Sequence, residues 1–258
     1  MVKIYLDPGH GGTDPGALGN GLEEKNVTLS IANRVRNILV NEYSNVSVKM
    51  SRTGDTTVEL IDRTNDANAW GADYFLSIHI NSGGGTGYED YIHSALSDNS
   101  HTANLRHTIH TEIVKLNSMR NRGKKKANFH VLRESSMPAM LTENGFIDSK
   151  ADSDKMKQAS WLDDVARGHV NGLEKALGLK KDGGDGGDGG TQKFVEVLVD
   201  SLWTYNSADW DDRAITVGKG EVFTVKRDRF PVGSGYMYQL KSGLYITASP
   251  SYVRVYTR

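Results

Sequence analysis

The 258-residue sequence predicts an α/β domain with a mostly parallel sheet flanked by helices, followed by a small all-β unit. Through residue 178, short apolar runs alternate with segments of helical period, as in proteins built on parallel sheets. Three Asp-Gly-Gly units at 182–190 interrupt this alternation. Residues 192–258 then hold 11 of the 21 aromatic side chains, in short alternating runs punctuated by glycine. We therefore divide the chain into residues 1–180, 181–191 and 192–258.

The first half of the α/β domain begins with a strand over 1–6 that ends in a turn over 7–12. This turn contains one proline and three glycines, which allow the chain to turn sharply and to hold His10 at the end of the strand. Apolar positions at helical spacing predict a helix over 27–39 with Asn26 as its N-cap. A strand over 46–50 and a helix over 59–69 follow.

The second half contains another strand that leads to a histidine. Residues 74–81 form an apolar run that carries His79 and is followed by Ser82 and three glycines. We expect a helix over 102–117, a short strand over 131–133 and a strand over 140–143. A last amphipathic helix over 161–177 ends at Gly178, a residue type that favours the left-handed conformation after a helix.

The composition excludes several classes of function. The formal net charge is −1, which does not favour a nucleic-acid partner or binding to a membrane surface. The chain has no cysteine, so disulfides, thiol nucleophiles and cysteine-ligated zinc are excluded. No apolar stretch reaches the ~18 residues of a membrane span, and Asp7 and Pro8 interrupt the first apolar run too early for a signal peptide. We therefore expect no membrane insertion and no export signal.

The Asp-Gly-Gly repeat predicts a flexible linker over residues 181–191. Its aspartates are three residues apart, whereas an EF-hand loop places its oxygen ligands two residues apart and adds a later glutamate. We therefore interpret the repeat as a linker and not as a calcium site.

Two histidines at two strand ends predict one metal site, because open α/β sheets bind ligands beyond the carboxyl ends of their strands. Glu23 or Glu24, which spacing alone does not distinguish, completes the set with His10 and His79. Two imidazoles and one carboxylate form the zinc arrangement that leaves one position open for water. Such a site acidifies the water and polarises a substrate carbonyl, and a separate carboxylate must then move the proton. Glu143, at the end of its strand, fits this second role.

Several motifs occur in the order and spacing of a known family. The sequence resembles the zinc-dependent N-acetylmuramoyl-L-alanine amidases of sporulation cell-wall hydrolases and phage endolysins, and the resemblance covers residues 1–178. One departure is modest, because Ser51-Arg52-Thr53 stands where the family usually has Thr-Arg. The matching motifs are Asp7-Pro8-Gly9-His10-Gly11-Gly12, Gly21-Leu22-Glu23-Glu24-Lys25-Asn26, Leu60-Ile61-Asp62-Arg63, Asn68, Ser77-Ile78-His79-Ile80-Asn81 and Thr142-Glu143-Asn144-Gly145-Phe146-Ile147.

The resemblance implies a role for each of the main candidate residues. Zn²⁺ would be held by His10, Glu24 and His79, since the family's carboxylate ligand directly precedes Lys25, and Glu143 would be the catalytic acid and base. The implied fold is a twisted, mainly parallel sheet flanked by helices. The implied reaction hydrolyses the amide between N-acetylmuramic acid and L-alanine of the stem peptide, so the expected partner is bacterial peptidoglycan.

Three further residues are candidates for contacts with substrate or with the metal ligands. Asn81 lies two residues past His79, His130 precedes the strand expected over 131–133, and Arg63 lies within one of the matching motifs. Two histidines of the predicted helix over 102–117, His107 and His110, are expected to be solvated, because no carboxylate is placed to complete a metal site with them.

The densest basic cluster lies over residues 120–126, from Arg120 to Lys126. We interpret it as a solvated loop. The alternative is that it binds anionic wall polymers or the carboxylates of the stem peptide.

The aromatic-rich segment 192–258 predicts an SH3-like barrel that binds the cell wall, because exposed aromatic rings stack on sugars and grip extended peptides. The whole chain is then a modular, monomeric peptidoglycan amidase. We expect a phage endolysin that is made in the host cytoplasm and acts on a Gram-positive wall after release. The alternatives are a mother-cell lytic amidase of sporulation, a zinc peptidase or carboxypeptidase that cuts within the stem peptide, and a non-catalytic wall-binding protein.

Overall fold

The computed structural model describes residues 1–181 and 192–257, so all but the first residue of the predicted linker lies outside the described residues. The chain divides into two compact units, Met1–Asp182 and Gly183–Arg258. The elements of the first unit are β1 (Val2–Pro8), β2 (Leu18–Gly19), β3 (Leu22–Glu23), α1 (Glu24–Glu42), β4 (Val46–Met50), α2 (Leu60–Trp70), β5 (Tyr74–Asn81), β6 (Tyr88–His93), α3 (His101–Leu116), β7 (Asn121–Ala127), α4 (His130–Arg133), β8 (Ala139–Phe146), α5 (Lys150–Met156) and α6 (Ala159–Leu177).

The main sheet of this unit has six strands in the order β4-β1-β5-β8-β6-β7. Strands β4, β1, β5 and β8 are parallel, β6 is antiparallel to β8, and β7 is parallel to β6. The sheet is therefore mixed. Parallel pairing predominates, as the alternation of apolar runs and helices predicts, whereas the reversed pair β6 and β7 was not anticipated.

Helices cover both faces of this sheet. Successive residues of a strand point to opposite faces, so Ile4 and Leu6 join the larger core with α1, α3 and α6. Tyr5, between them, packs with α2 and α4 in a smaller core. Burial on both faces explains why β1 and β5 are nearly continuous apolar runs, and it leaves the strand ends as the place for polar groups.

Two segments differ from the expected structure. Residues 131–133, expected as a strand, instead belong to helix α4, and Val131 and Leu132 pack in the smaller core with Ala67 of α2. A short apolar pair fits a helix or a strand, so periodicity does not distinguish them. Residues 120–126 were expected as a solvated loop, but most of them lie in the edge strand β7.

Helix α1 begins at Glu24, three residues before the predicted start, and the prediction of Asn26 as its N-cap was wrong. Asn26 lies inside the first turn, where its Nδ2 donates to Glu23 Oε2 at 3.0 Å. The first amides of the helix, of Glu24 and Lys25, donate instead to backbone carbonyls of residues 15–17. The preceding loop therefore satisfies donors that a side-chain cap would otherwise take.

The second unit is all-β, as its short alternating runs predict. Its strands are β9 (Lys193–Val197), β10 (Leu202–Tyr205), β11 (Arg213–Val217), β12 (Val222–Val232), β13 (Gly235–Leu240), β14 (Tyr245–Thr247) and β15 (Val253–Thr257). They form one sheet in the order β11-β10-β14-β13-β12-β9-β15. Six of these strands contribute side chains to a single apolar core, among them Val195, Ile215, Phe223 and Leu240.

Within the described residues, none of the helices combines the length and the apolar character that a membrane span requires.

Candidate metal centre

The turn that carries His10 is held by two buried arginines. His10 has φ 62°, in the left-handed region that non-glycine residues rarely adopt. Arg63 donates to the carbonyl oxygen of His10 at 2.9 Å and forms a buried ion pair with Asp7 at 2.7 Å. Arg52 donates to the two carbonyls just before His10. These contacts offset the backbone strain and place the imidazole beyond the end of β1.

Glu24 is the first residue of α1, and its side chain is buried. The backbone N–H of Ala17 donates to its Oε2 and that of Ile80 to its Oε1, both at 2.9 Å. The neighbouring Glu23 is exposed and contacts Asn26 instead. The start of a helix favours a carboxylate, and here the loop amides direct that of Glu24 inward.

The side chains of His10, Glu24 and His79 meet at one point. His10 Nε2 lies 3.2 Å from Glu24 Oε2, and His79 Nδ1 lies 3.0 Å from Glu24 Oε1. The ring centroids of the two histidines are 4.9 Å apart, and one ligand atom of each of the three residues lies within 4.8 Å of the others. Asp14 contacts the other ring nitrogen of His10 at 2.7 Å, which orients the imidazole.

The charged groups of this cluster shift one another's pKa values. Burial raises the pKa of the Glu24 carboxyl, but the imidazoles of His10 and His79 more than offset this and hold that pKa below its usual range. Burial also disfavours protonation of His10, but Glu24 and Asp14 raise its pKa. A divalent cation would compensate the buried carboxylate while both imidazoles stay neutral. Two nitrogen donors and one oxygen donor are a ligand set that fits Zn²⁺.

Glu143 lies beside this cluster, on β8. It pairs with His79 of β5 in parallel register and with Glu89 of β6 in antiparallel register, so the three side chains share one face of the sheet. Its Oε2 atom is buried and has no hydrogen-bond partner among the described residues. Burial, followed by the charges of Glu24 and Glu89, raises the pKa of Glu143 well above its usual range. A raised pKa makes the ionised carboxylate a stronger base and favours the protonated carboxyl that can later donate the proton.

Glu89, which sequence analysis did not single out, is a buried carboxylate next to Glu143. Asn81 and the Tyr91 hydroxyl donate to its Oε1, at 2.9 and 2.7 Å. Arg122 donates to its Oε2 at 2.6 Å, and Lys125 binds the same oxygen. Burial raises the pKa of Glu89, but its basic partners lower it below its usual range, so this carboxylate stays charged. Residues 88–93 do not alternate strictly between apolar and polar side chains, so no local pattern indicated this strand or its Glu89.

Several basic side chains of residues 120–126 are therefore engaged within the protein. Arg122 and Lys125 bind Glu89, and Lys126 forms an ion pair with Asp98 at 2.7 Å. These contacts oppose the interpretation of the segment as a solvated loop. They also reduce the positive charge that an anionic polymer would meet there.

The remaining candidates take up different positions. Asn81 contacts Glu89, whereas His130, at the start of α4, contacts Thr64 Oγ1 at 3.4 Å. His110, expected to be solvated, is buried and paired with Asp90 of β6. The expectation for His110 was wrong because the strand that supplies this carboxylate was not anticipated.

Comparisons with known proteins identify relatives of this chain. Residues 4–175 match the family described as N-acetylmuramoyl-L-alanine amidase. The chain is 60% identical over 181 residues to the sporulation-specific N-acetylmuramoyl-L-alanine amidase of Bacillus subtilis (strain 168), covering 70% of each chain. It is 43% identical over 266 residues to the endolysin of Bacillus phage SPP1, covering 98% of this chain and 97% of the endolysin.

Solved structures show the same fold for the first unit. The N-acetylmuramoyl-L-alanine amidase from Clostridium difficile 630 is 35% identical, with a TM-score of 0.66, and the match covers 69% of this chain and 97% of that one. The catalytic domain of CwlV, an amidase from Bacillus (Paenibacillus) polymyxa var. colistinus, is 31% identical, with a TM-score of 0.65. This match covers 70% of this chain and 100% of that one. The chain belongs to the N-acetylmuramoyl-L-alanine amidase family.

Proposed function

We propose that this chain hydrolyses the amide between the lactyl group of N-acetylmuramic acid and the L-alanine of the stem peptide, with Zn²⁺ as cofactor. The observation that carries the proposal is the convergence of His10, Glu24 and His79 next to Glu143, on the fold of the amidase family. Zn²⁺ held by the first three residues would polarise the scissile carbonyl and acidify a water molecule.

Glu143 moves the proton in this reaction. Its carboxylate accepts a proton from the attacking water and then donates it to the leaving nitrogen of L-alanine, which departs as an amine. Burial and the fixed charge of Glu89 favour the protonated state that the second step needs. The site residues lie at the ends of packed strands and at the start of a helix, so their positions are set before substrate binds.

The products test this assignment. An amidase releases intact glycan strands and peptides with a free L-alanine N-terminus, whereas a zinc peptidase or carboxypeptidase releases fragments cut within the stem peptide. Mass spectrometry of digested peptidoglycan separates the two. Activity should disappear with a chelator and return with Zn²⁺, and cleavage within the peptide would overturn the proposal.

We also propose that the second unit is an SH3-like, wall-binding domain and that the protein is a phage endolysin acting on a Gram-positive wall. The phage SPP1 endolysin matches both units, whereas the match to the sporulation-specific amidase covers 70% of the chain, and this difference favours the endolysin. A lytic amidase of sporulation is the alternative. Lysis assays on a panel of Gram-positive hosts would test the proposal of an endolysin, because an endolysin added from outside should clear a susceptible host.

A further inference from the structure

The sheet of the second unit keeps its core on one face. Ile246 of β14 pairs with Thr204 of β10 and with Tyr238 of β13, and all three side chains are buried. Side chains alternate along a strand, so the neighbours of these residues point away from the core. An antiparallel sheet with one solvated face normally carries polar side chains there.

The opposite face of this sheet carries aromatic rings instead, and we call it the outer face. Tyr205, Tyr245, Gln239 and Arg227 are successive cross-strand partners on β10, β14, β13 and β12. Cross-strand partners project to the same side, so Tyr205, Tyr245 and Gln239 form a row. The register shifts at Arg227, but this side chain lies over Phe230, which contacts Tyr245, and so continues the row. With neighbouring strands about 4.8 Å apart, the row extends over about 14 Å.

Further rings widen this row. Trp210 contacts Tyr205 at a centroid distance of 5.3 Å, and Phe230 contacts Tyr245 at 6.0 Å, both edge to face. Met237, the cross-strand partner of Phe230, is fully buried although it lies outside the core cluster. The rings of the outer face therefore lie next to the buried Met237 and contact one another.

Two arginines complete the outer face. Arg227 lies over the Phe230 ring at 4.2 Å from its centroid, and Arg213 lies over the exposed Trp203 ring at 5.5 Å. Within residues 192–257, no carboxylate forms an ion pair with either guanidinium. Stacking orders a guanidinium without using its hydrogen-bond donors, so both remain able to bind a carboxylate.

Aromatic faces next to unpaired guanidinium groups suit a polysaccharide that carries carboxylates. Rings of Tyr and Trp offer large apolar contact with a polar edge, which fits sugar rings, while arginine recognises a planar carboxylate by paired hydrogen bonds. A neutral glycan would satisfy the rings and leave the arginines unused. A stem peptide would supply carboxylates without a run of sugar faces.

We propose that the outer face binds wall glycan strands from which the stem peptides have been removed. This inference rests on the proposed function, because hydrolysis adds water across the amide bond and leaves a carboxylate on each muramic acid and a free amine on the peptide. The binding unit thus recognises the product of the first unit. Covalent connection would then raise the concentration of the catalytic unit near wall that it has begun to process.

Calorimetry with the full chain tests this inference. The probes are glycan strands stripped of their peptides and neutral oligomers of N-acetylglucosamine of similar length. We expect the stripped strands to bind at least about tenfold more tightly at low salt. Tyr245→Ala should weaken binding to both probes at least about tenfold, whereas Arg227→Gln should remove the preference for the stripped strands.

The matched control is Tyr252→Ala, which removes a 47% exposed ring from the turn before β15. It should bind like the parent chain. Equal affinity for both glycans, binding of free stem peptides instead, or an equal loss in Tyr252→Ala would overturn the inference. Arg227 is exposed, so its substitution tests the inference even if Tyr245→Ala is unstable. Cleavage of a soluble muramoyl-peptide reports on the proposed function separately, since it depends on the first unit.

Discussion

Glu143 and Glu24 are neighbouring acidic side chains whose surroundings shift their pKa values in opposite directions. The Glu24 carboxylate receives two backbone hydrogen bonds and contacts two imidazoles, which keep it charged. The Glu143 carboxyl has a buried oxygen without a hydrogen-bond partner in the described part of the chain and lies next to the charged Glu89. These surroundings support the proposal that Glu24 helps to hold a cation and that Glu143 transfers the proton.

Glu143→Gln tests this division. The amide keeps the shape of the side chain but cannot transfer the proton, so we expect hydrolysis to fall by about 10²–10⁴-fold. Zinc content should remain at one ion per chain because the three proposed ligands are unchanged. Dye release from labelled peptidoglycan and elemental analysis measure the two effects. Near-normal hydrolysis would exclude Glu143 as the acid and base.

The adjacent residues Glu23 and Glu24 provide a matched pair for the metal site. Glu24→Gln removes the charge at the centre of the cluster and should abolish stoichiometric zinc binding together with activity. Glu23→Gln makes the same substitution at an exposed carboxylate and should leave zinc binding and activity unchanged. Equilibrium dialysis with Zn²⁺ followed by an activity assay distinguishes the two variants. Loss of zinc in the Glu23 variant would reverse the assignment.

At the scale of elements, β1 and β5 approach so closely that the turn after β1 requires glycine. A Cβ at Gly9 would lie 2.3 Å from His79 Cε1, a distance that side chains do not adopt. We expect Gly9→Ala to displace the His79 ring and to lower activity by about tenfold or more. A displacement of about 1 Å in a catalytic group can lower the rate by about 10²-fold. Gly54→Ala is the control, because no atom of residues 1–181 or 192–257 lies within 4 Å of a Cβ placed at Gly54. Equal activity of both variants would show that the turn adapts.

Helix α6 and strand β8 are joined by the buried His169. Because the carbonyl of Val165 can only accept, His169 Nδ1–H donates to it at 2.8 Å, and Nε2 lies 3.2 Å from Thr142 Oγ1. Burial lowers the pKa of His169 to about 4, whereas it is about 6.5 in the unfolded chain. Between these values the unfolded chain binds more protons, so the free energy of unfolding decreases as the pH falls from 6.5 towards 4.

Urea unfolding at pH 7.5 and pH 5 measures this dependence. The parent chain should lose about 2 kcal/mol between the two values through this residue. His169→Asn should be less stable at pH 7.5 and should lose correspondingly less on acidification. His101→Asn, which changes an exposed histidine, should keep the parental dependence. An unchanged dependence in His169→Asn would assign the effect to other groups.

At the scale of the whole molecule, the two units are proposed to divide catalysis and wall binding. A chain that ends at residue 191 retains every candidate catalytic residue. We expect it to cleave soluble muramoyl-peptides at a rate within about twofold of the full chain and to lyse intact cells at least about tenfold more slowly, because the local concentration at the wall is lost. Parallel assays on the two substrates measure this. Equal loss on both would show that the second unit supports the fold or the chemistry of the first.

The amino-acid sequence by itself determined the α/β class of the first unit, the all-β class of the second, and the family. Local signals suffice for these properties: apolar runs mark buried strands, and glycine next to His10 and after His79 marks strand ends where ligands bind. The candidate ligands are predictable for the same reason, since each lies in a short motif of its own.

Only the tertiary structure decided which charges meet. Glu89 lies beside Glu143 because β6 pairs antiparallel with β8, and His110 finds Asp90 on that same strand. Arg63 acts on the backbone of His10 from a helix 53 residues away in the chain. No local pattern encodes such contacts, because they depend on strand order and register, which the free energy of packing the whole domain selects.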